Sequence, residues 1–207
     1  MTNRALFLDR DGTLVLPRHY PTRPEQLVLY ADLGAPLAQL QAAGLRIIVI
    51  TNQAGLAHGY FDEAALVQMH THLATQLLQV GVHLDAIYHC PHHPAGRVPA
   101  VAIECACRKP QPGLLLQAAA DHMLDLERSW FVGDILHDVE AGNRAGCRTV
   151  LVNNGGETEW VTGPYRTPDF VAADTVAALH IILQHERLAP PGSVEPAAEI
   201  TKIGSER

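Results

Sequence analysis

The chain has 207 residues, 47% of them apolar and 18% charged, with a formal net charge of −7, which suits one α/β domain with a full core. An acidic chain has no general attraction for nucleic acid, and no apolar run approaches the roughly 20 residues that a membrane-spanning helix needs. The first apolar stretch, Ala5 to Leu8, stops at Asp9, too short for a signal peptide, so a cytoplasmic monomer without membrane or nucleic-acid partners is the expectation.

Ala5–Asp9 reads as a short buried strand that runs into a turn at Asp11-Gly12-Thr13. Leu33 to Ala43 reads as a helix, with Pro36 in its first turn and Gly44 just past its end. The β-branched run Leu45–Thr51 fits a parallel strand covered on both faces. Asp62 opens a helix whose Leu66, Met69, Leu73, Leu77 and Val80 keep helical spacing, and Ile87–Cys90 is a third strand. A helix from Pro112 to about Met123 follows. Strands at Trp130–Gly133 and Arg148–Val152 flank another helix, and a last helix runs from Asp174 towards Gln184. Strands alternating with helices predict a single doubly wound parallel sheet over residues 1–187. From Leu188 the composition shifts to Ala, Pro, Gly, Ser and Glu, which predicts a disordered tail over 188–207.

Polar constellations fall where the predicted strands end, and in such sheets ligands bind beyond the carboxyl ends of the strands. Asp9 and Asp11 could face one cation and divide the work of nucleophile and acid/base, with Gly12 allowing the sharp turn. Thr51-Asn52-Gln53 offers a hydroxyl and backbone N–H groups to a phosphate oxygen. Arg108-Lys109 could neutralise a carboxylate and a phosphoryl group together. Asp134, followed by Asp138, would complete an oxygen-rich magnesium site. Taken singly, each group also fits a turn, a helix cap or solvated surface.

Four soft ligands form two close pairs: Cys90 with His92, then, after twelve residues, Cys105 with Cys107. That set suits a closed tetrahedral zinc site of structural type, in which His93 could stand in for His92. Cys147 lies outside the cluster and reads as a small buried residue. Most of the twelve histidines fit surface positions.

Together these groups resemble the four motifs of the haloacid dehalogenase superfamily. Over roughly residues 4–155 the chain is similar to its heptose-bisphosphate phosphatase family, near the histidinol-phosphatase branch. The motifs are Asp9–Thr13, Thr51–Gly55, Cys90–Pro94, Cys105–Pro110 and Gly133–Asp134. The resemblance implies a magnesium-dependent phosphatase acting through an aspartyl-phosphate on Asp9, with Asp11 as acid and then base. It implies magnesium held by Asp9, the Asp11 carbonyl and Asp134; Asp138 reads as a support for its neighbours. Thr51 and Lys109 would stabilise the phosphoryl group, Arg108 would touch substrate, and His92 rather than His93 would join the three cysteines on zinc. A superfamily dehalogenase lacks the second aspartate, so Asp11 points to phosphatase chemistry.

Only 37 residues separate Thr13 from Thr51, and the expected elements fill them, so no separate cap domain is expected. An open site leaves specificity to loops, with Arg18, His19, Tyr20, Asn52, Gln53 and Arg108 as the expected substrate contacts. The implied substrate is a small phosphorylated sugar, D-glycero-D-manno-heptose 1,7-bisphosphate, cleaved at the 7-phosphate. Histidinol phosphate, other sugar phosphates and a polynucleotide 3′-phosphate are the alternatives, and the acidic charge weighs against the last. Departures from the family pattern are Pro17, Ile135 and the run Asn153–Glu157. A zinc-stabilised binding module is the non-enzymatic alternative, and the intact acidic and basic groups oppose it.

Overall fold

A computed structural model describes residues 3–188, and the tail predicted from Leu188 lies beyond them apart from that residue's own place at the end of the last helix. Six strands form one parallel sheet: β1 (Arg4–Leu8), β2 (Leu45–Asn52), β3 (Ala86–Cys90), β4 (Trp130–Gly133), β5 (Arg148–Val152) and β6 (Phe170–Ala172). Their order across the sheet is β3-β2-β1-β4-β5-β6. The chain winds outward from β1 in one direction and from β4 in the other. The crevice between β1 and β4 is therefore the topological switch point.

Six helices cover the sheet: α1 (Gly34–Ala42), α2 (Gly55–His58), α3 (Glu63–Gln79), α4 (Gly113–His122), α5 (Leu136–Ala145) and α6 (Thr175–Leu188). Alternation along the strands sets the layers. Leu6 and Leu8 of β1, with Ile47 and Val49 of β2, pack on α1, α3 and α6, whereas Ala5, Phe7, Ile48 and Ile50 pack on α4 and α5. Each fully buried side chain of this kind contributes about 1.5–3 kcal/mol, so the central strands are the most firmly held part of the molecule. Among the described residues the connections hold short helices and loops with no cap domain.

The five expected strands and five expected helices are present, with ends moved by a residue or two, except that the last helix runs four residues past Gln184 to Leu188. Two elements had no clear pattern in the sequence. The strand β6 has three residues and exposes Val171, and α2 is a single turn opened by Gly55.

Candidate active site

The site is assembled at the switch point. Asp9 is the first residue past β1, with its N–H donated to the Val132 carbonyl (2.9 Å), and Asp134 is the first past β4. The chain then turns back tightly, because Gly12 takes φ +83° and the Leu14 and Val15 amides both bond to the Arg10 carbonyl. A side chain at Gly12 would not fit, since a Cβ would stand 2.1 Å from Asp134 Oδ2. Residues 14–16 then pair with 28–30 in a small flap (Leu16 N to Val28 O, 2.9 Å; Tyr30 N to Leu14 O, 3.0 Å). The connection between those two stretches carries Arg18, His19 and Tyr20.

Asp9, Asp134 and Asp138 are all buried, with oxygens within 4.8 Å of one another. Lys109, 3% exposed, lies among them and donates to Asp9 Oδ1 (2.5 Å) and the Ile50 carbonyl (3.0 Å), and pairs with Asp138 Oδ1 at 2.6 Å. Burial pushes the Asp9 carboxyl up to about 7; Lys109 opposes the rise, and Asp138 and Asp11 add to it. Burial, then Asp9 and Asp138, push Asp134 up to about 8. Burial alone would lower the Lys109 ammonium, but Asp138 and Asp9 outweigh it and hold it well above its ordinary value. Three carboxylates and one ammonium leave two formal negative charges out of water, which fits a hard divalent cation such as magnesium.

The residues expected to touch phosphate and substrate divide into two groups. Thr51, Asn52 and Gln53 sit at the end of β2, but their side chains already have protein partners. Asn52 clamps the Lys109 backbone in both directions, donating to its carbonyl (3.2 Å) and accepting from its N–H (3.1 Å). The Gln53 amide donates to Thr51 Oγ1 (2.8 Å) and Asp11 Oδ2 (3.2 Å) and accepts from Arg10 (3.0 Å). Arg18, His19 and Tyr20, by contrast, line a cleft of about 230 Å³ together with Asp11, Asn52 and Gln53. Arg108 lies beside the cysteine cluster, where its guanidinium donates to the His92 carbonyl (3.3 Å). The sequence reading missed Asn154, which donates to the Gly12 carbonyl (2.7 Å), and Gly156, where a Cβ would stand 2.1 Å from Asp134 Oδ2. Their signal was a place just past β5, in the run Asn153–Glu157 that departs from the family pattern.

Cys90, His92, Cys105 and Cys107 converge with sulfur–sulfur distances of 3.2–3.5 Å and His92 Nδ1 at 3.2 Å from Cys107 and 3.6 Å from Cys90. A tetrahedron with metal–sulfur arms of about 2.3 Å has edges of about 3.8 Å, so the donor set fits zinc. His93 points elsewhere: its Nδ1 accepts from Ala95 N (3.2 Å) and its ring packs on His58. The segment between the ligand pairs docks on α2, where the Ala57 carbonyl accepts from Arg97 N (2.7 Å) and Val98 N (2.9 Å).

The profile of a family described as HAD-hydrolase-like matches residues 106–179. A D-glycero-beta-D-manno-heptose-1,7-bisphosphate 7-phosphatase of Pasteurella multocida is 41% identical over 153 residues, which cover 73% of this chain and 83% of that one. The chain belongs to the heptose-bisphosphate phosphatase family. An alpha-heptose counterpart from Photorhabdus laumondii is 38% identical over 156 residues, 75% of this chain and 85% of its own. The solved D,D-heptose 1,7-bisphosphate phosphatase of B. bronchiseptica, complexed with magnesium and phosphate, superimposes with a TM-score of 0.72 at 32% identity, covering 88% of this chain and 99% of that one. Family membership accounts for the capless parallel sheet and makes the chain a phosphoric monoester hydrolase. Among the described residues no helix is long and apolar enough to cross a membrane.

Proposed function

We propose that the protein hydrolyses the 7-phosphate of D-glycero-D-manno-heptose 1,7-bisphosphate in the cytoplasm through an aspartyl-phosphate on Asp9, with magnesium at the acidic site and zinc in the cysteine loop. The observation that carries this reading is the buried Asp9–Lys109–Asp138 group beside Asp134, with Asp11, two residues past Asp9, lining a cleft together with Arg18 and His19. The relatives' names supply the substrate.

In the first step a carboxylate oxygen of Asp9 bonds to phosphorus, the bond to the sugar oxygen breaks, and Asp11 gives its proton to that oxygen. In the second step a water oxygen bonds to phosphorus, the Asp9 oxygen leaves, and the water's proton passes to Asp11. Lys109 and the Thr51 hydroxyl hold the phosphoryl oxygens in line between attacking and leaving atoms. Held by Asp9, Asp134 and the Asp11 carbonyl, with Asp138 in support, a magnesium ion would supply the positive charge that keeps Asp9 ionised and offsets that of the phosphate. Arg18, His19 and Tyr20, which line the cleft, would meet the sugar and its second phosphate together with Arg108. Zinc on Cys90, His92, Cys105 and Cys107 would fix the segment that leads into Arg108 and Lys109.

The test is phosphate release from both anomers of the heptose bisphosphate, histidinol phosphate, fructose 1,6-bisphosphate and a 3′-phosphorylated oligonucleotide, with and without magnesium. Preference for a heptose anomer, lost in Asp9→Asn, is the expected result. Preference for another substrate overturns the substrate, and activity retained in Asp9→Asn overturns the mechanism.

A further inference from the structure

Arg10 stands between the two aspartates of the first motif and is 1% exposed. None of its hydrogen bonds goes to Asp9, Asp134 or Asp138. Its Nε donates to Asp11 Oδ2 (2.9 Å), and its Nη2 donates to Asp11 Oδ1 (3.1 Å) and Gln53 Oε1 (3.0 Å). Gln53 returns to the same carboxylate and ties it to Thr51. The remaining nitrogen, Nη1, is buried without a hydrogen-bond partner. Nearby His70, on α3, is kept neutral by burial and by the charge of Arg10, and its Nε2 is unpartnered too. Asp11 is thus the anion that this sealed guanidinium grips, through a two-pronged fork that fixes direction as well as distance.

We infer that Arg10 is a positioning residue for Asp11: it holds the Asp11 carboxylate at the edge of the cleft for the water step, acting through Asp11 and Gln53, which take its side-chain hydrogen bonds even though Arg10 lines that cleft with them. The inference rests on the acid/base role proposed above for Asp11. Asp11 is partly exposed, with 30% of its side chain open to solvent, so packing alone does not fix its rotamer. A displacement of about 1 Å at a reacting group can cost about 100-fold in rate.

The two half-reactions provide the test. p-Nitrophenolate is a stable anion that needs no proton to leave, so p-nitrophenyl phosphate can phosphorylate Asp9 without Asp11, whereas hydrolysis of the aspartyl-phosphate still needs a base. In Arg10→Met the first-turnover burst of p-nitrophenolate is expected at the parental rate, followed by turnover slowed about 10- to 100-fold and a phosphoenzyme that accumulates on acid quench. Arg10→Lys keeps the charge but not the fork and is expected to stall in the same sense; it carries the test if Arg10→Met does not fold. Asp11→Asn should stall more deeply. Parental turnover in the folded Arg10 variants beside a stalled Asp11→Asn overturns the inference and leaves the role of Asp11 standing. Loss of the burst together with turnover marks Arg10 as a structural residue and overturns the inference too. If Asp11→Asn neither stalls nor accumulates phosphoenzyme, the role of Asp11 falls first and the inference with it.

Discussion

Lys109→Met removes the ammonium that faces Asp9 at 2.5 Å and Asp138 at 2.6 Å, and puts an uncharged chain of similar length in its place. All three groups are buried, so solvent cannot replace the lost charge. Breaking a buried ion pair from one side costs about 3–5 kcal/mol, because the remaining charge stays out of water. For a chain of this size each kcal/mol corresponds to about 2–4 °C, so a fall in Tm of about 6–20 °C is expected at pH 8 with chelator present. At pH 5 the loss should shrink, since Asp9, pushed up to about 7 even beside Lys109, takes a proton instead of standing unpaired. Magnesium should return part of the stability at pH 8. Activity should fall by about 10²–10³, the usual cost of removing one group that stabilises transferring charge. Melting curves at the two pH values, with chelator or magnesium, check the argument. A variant that melts with the parent at pH 8, or whose deficit is the same at pH 5, would refute it, because the deficit would then owe nothing to charge.

Three further outcomes follow from the same geometry. In chelator, Asp9 and Asp134 have folded-state values of about 7 and 8 against 3.8 in the open chain, so the folded protein binds more protons over that range. Stability should be greatest near pH 4 and fall as pH rises towards 8, and the magnesium-induced rise in Tm should grow with pH, as thermal melts across that range can check. Gly12→Ala puts a Cβ 2.1 Å from Asp134 Oδ2 at a backbone φ of +83°; a stability cost of about 1–2 kcal/mol and a larger proportional loss of magnesium affinity by titration calorimetry are expected. Cys107→Ser should lower zinc content by elemental analysis and lower Tm, and should raise KM for a bisphosphorylated sugar more than for a monophosphate, because Arg108 follows Cys107 directly.

How much of this was legible in the sequence depended on whether a residue's neighbours in the chain are also its neighbours in space. Strands β1, β2 and β5 each hold an apolar run covered on both faces (Ala5–Leu8, Ile47–Ile50 and Val150–Val152), so their burial shows in composition alone. The strand β6 is three residues finishing the sheet's edge, and only pairing with β5 defines it. Asp9 and Asp134 could be picked out because strand ends at a switch point are where charge collects in this architecture, and Lys109 as part of a basic pair just ahead of α4. The partners that orient them could not. Asn52 and Gln53 read as free polar groups aimed at substrate, yet one holds the Lys109 backbone 57 positions away and the other holds Asp11 across 42. Arg10 drew no reading of its own between the two aspartates; its burial appears only once the chain folds back over it through Leu14 and Val15.

The cysteine loop links fold to chemistry over a very short stretch of chain. From His93 to Glu104 no side chain is buried, so the segment has no core of its own to hold it. It is tied down at its ends by the cysteine–histidine cluster, and between them by the two N–H bonds to the Ala57 carbonyl. Gly96 is required there, since a Cβ would stand 2.8 Å from both Ala57 Cβ and that carbonyl. Three consecutive residues then have three different surroundings: Cys107 in the cluster, Arg108 at the surface beside the His92 carbonyl, and Lys109 among the buried carboxylates. A shift of the cluster by an ångström cannot be absorbed in so few bonds, because Asn52 fixes the Lys109 backbone from the far side. The cluster therefore sets the position of the Lys109 ammonium as well as that of the Arg108 guanidinium, and under the roles proposed for them loss of metal there should reach catalysis without any change in the acidic site itself.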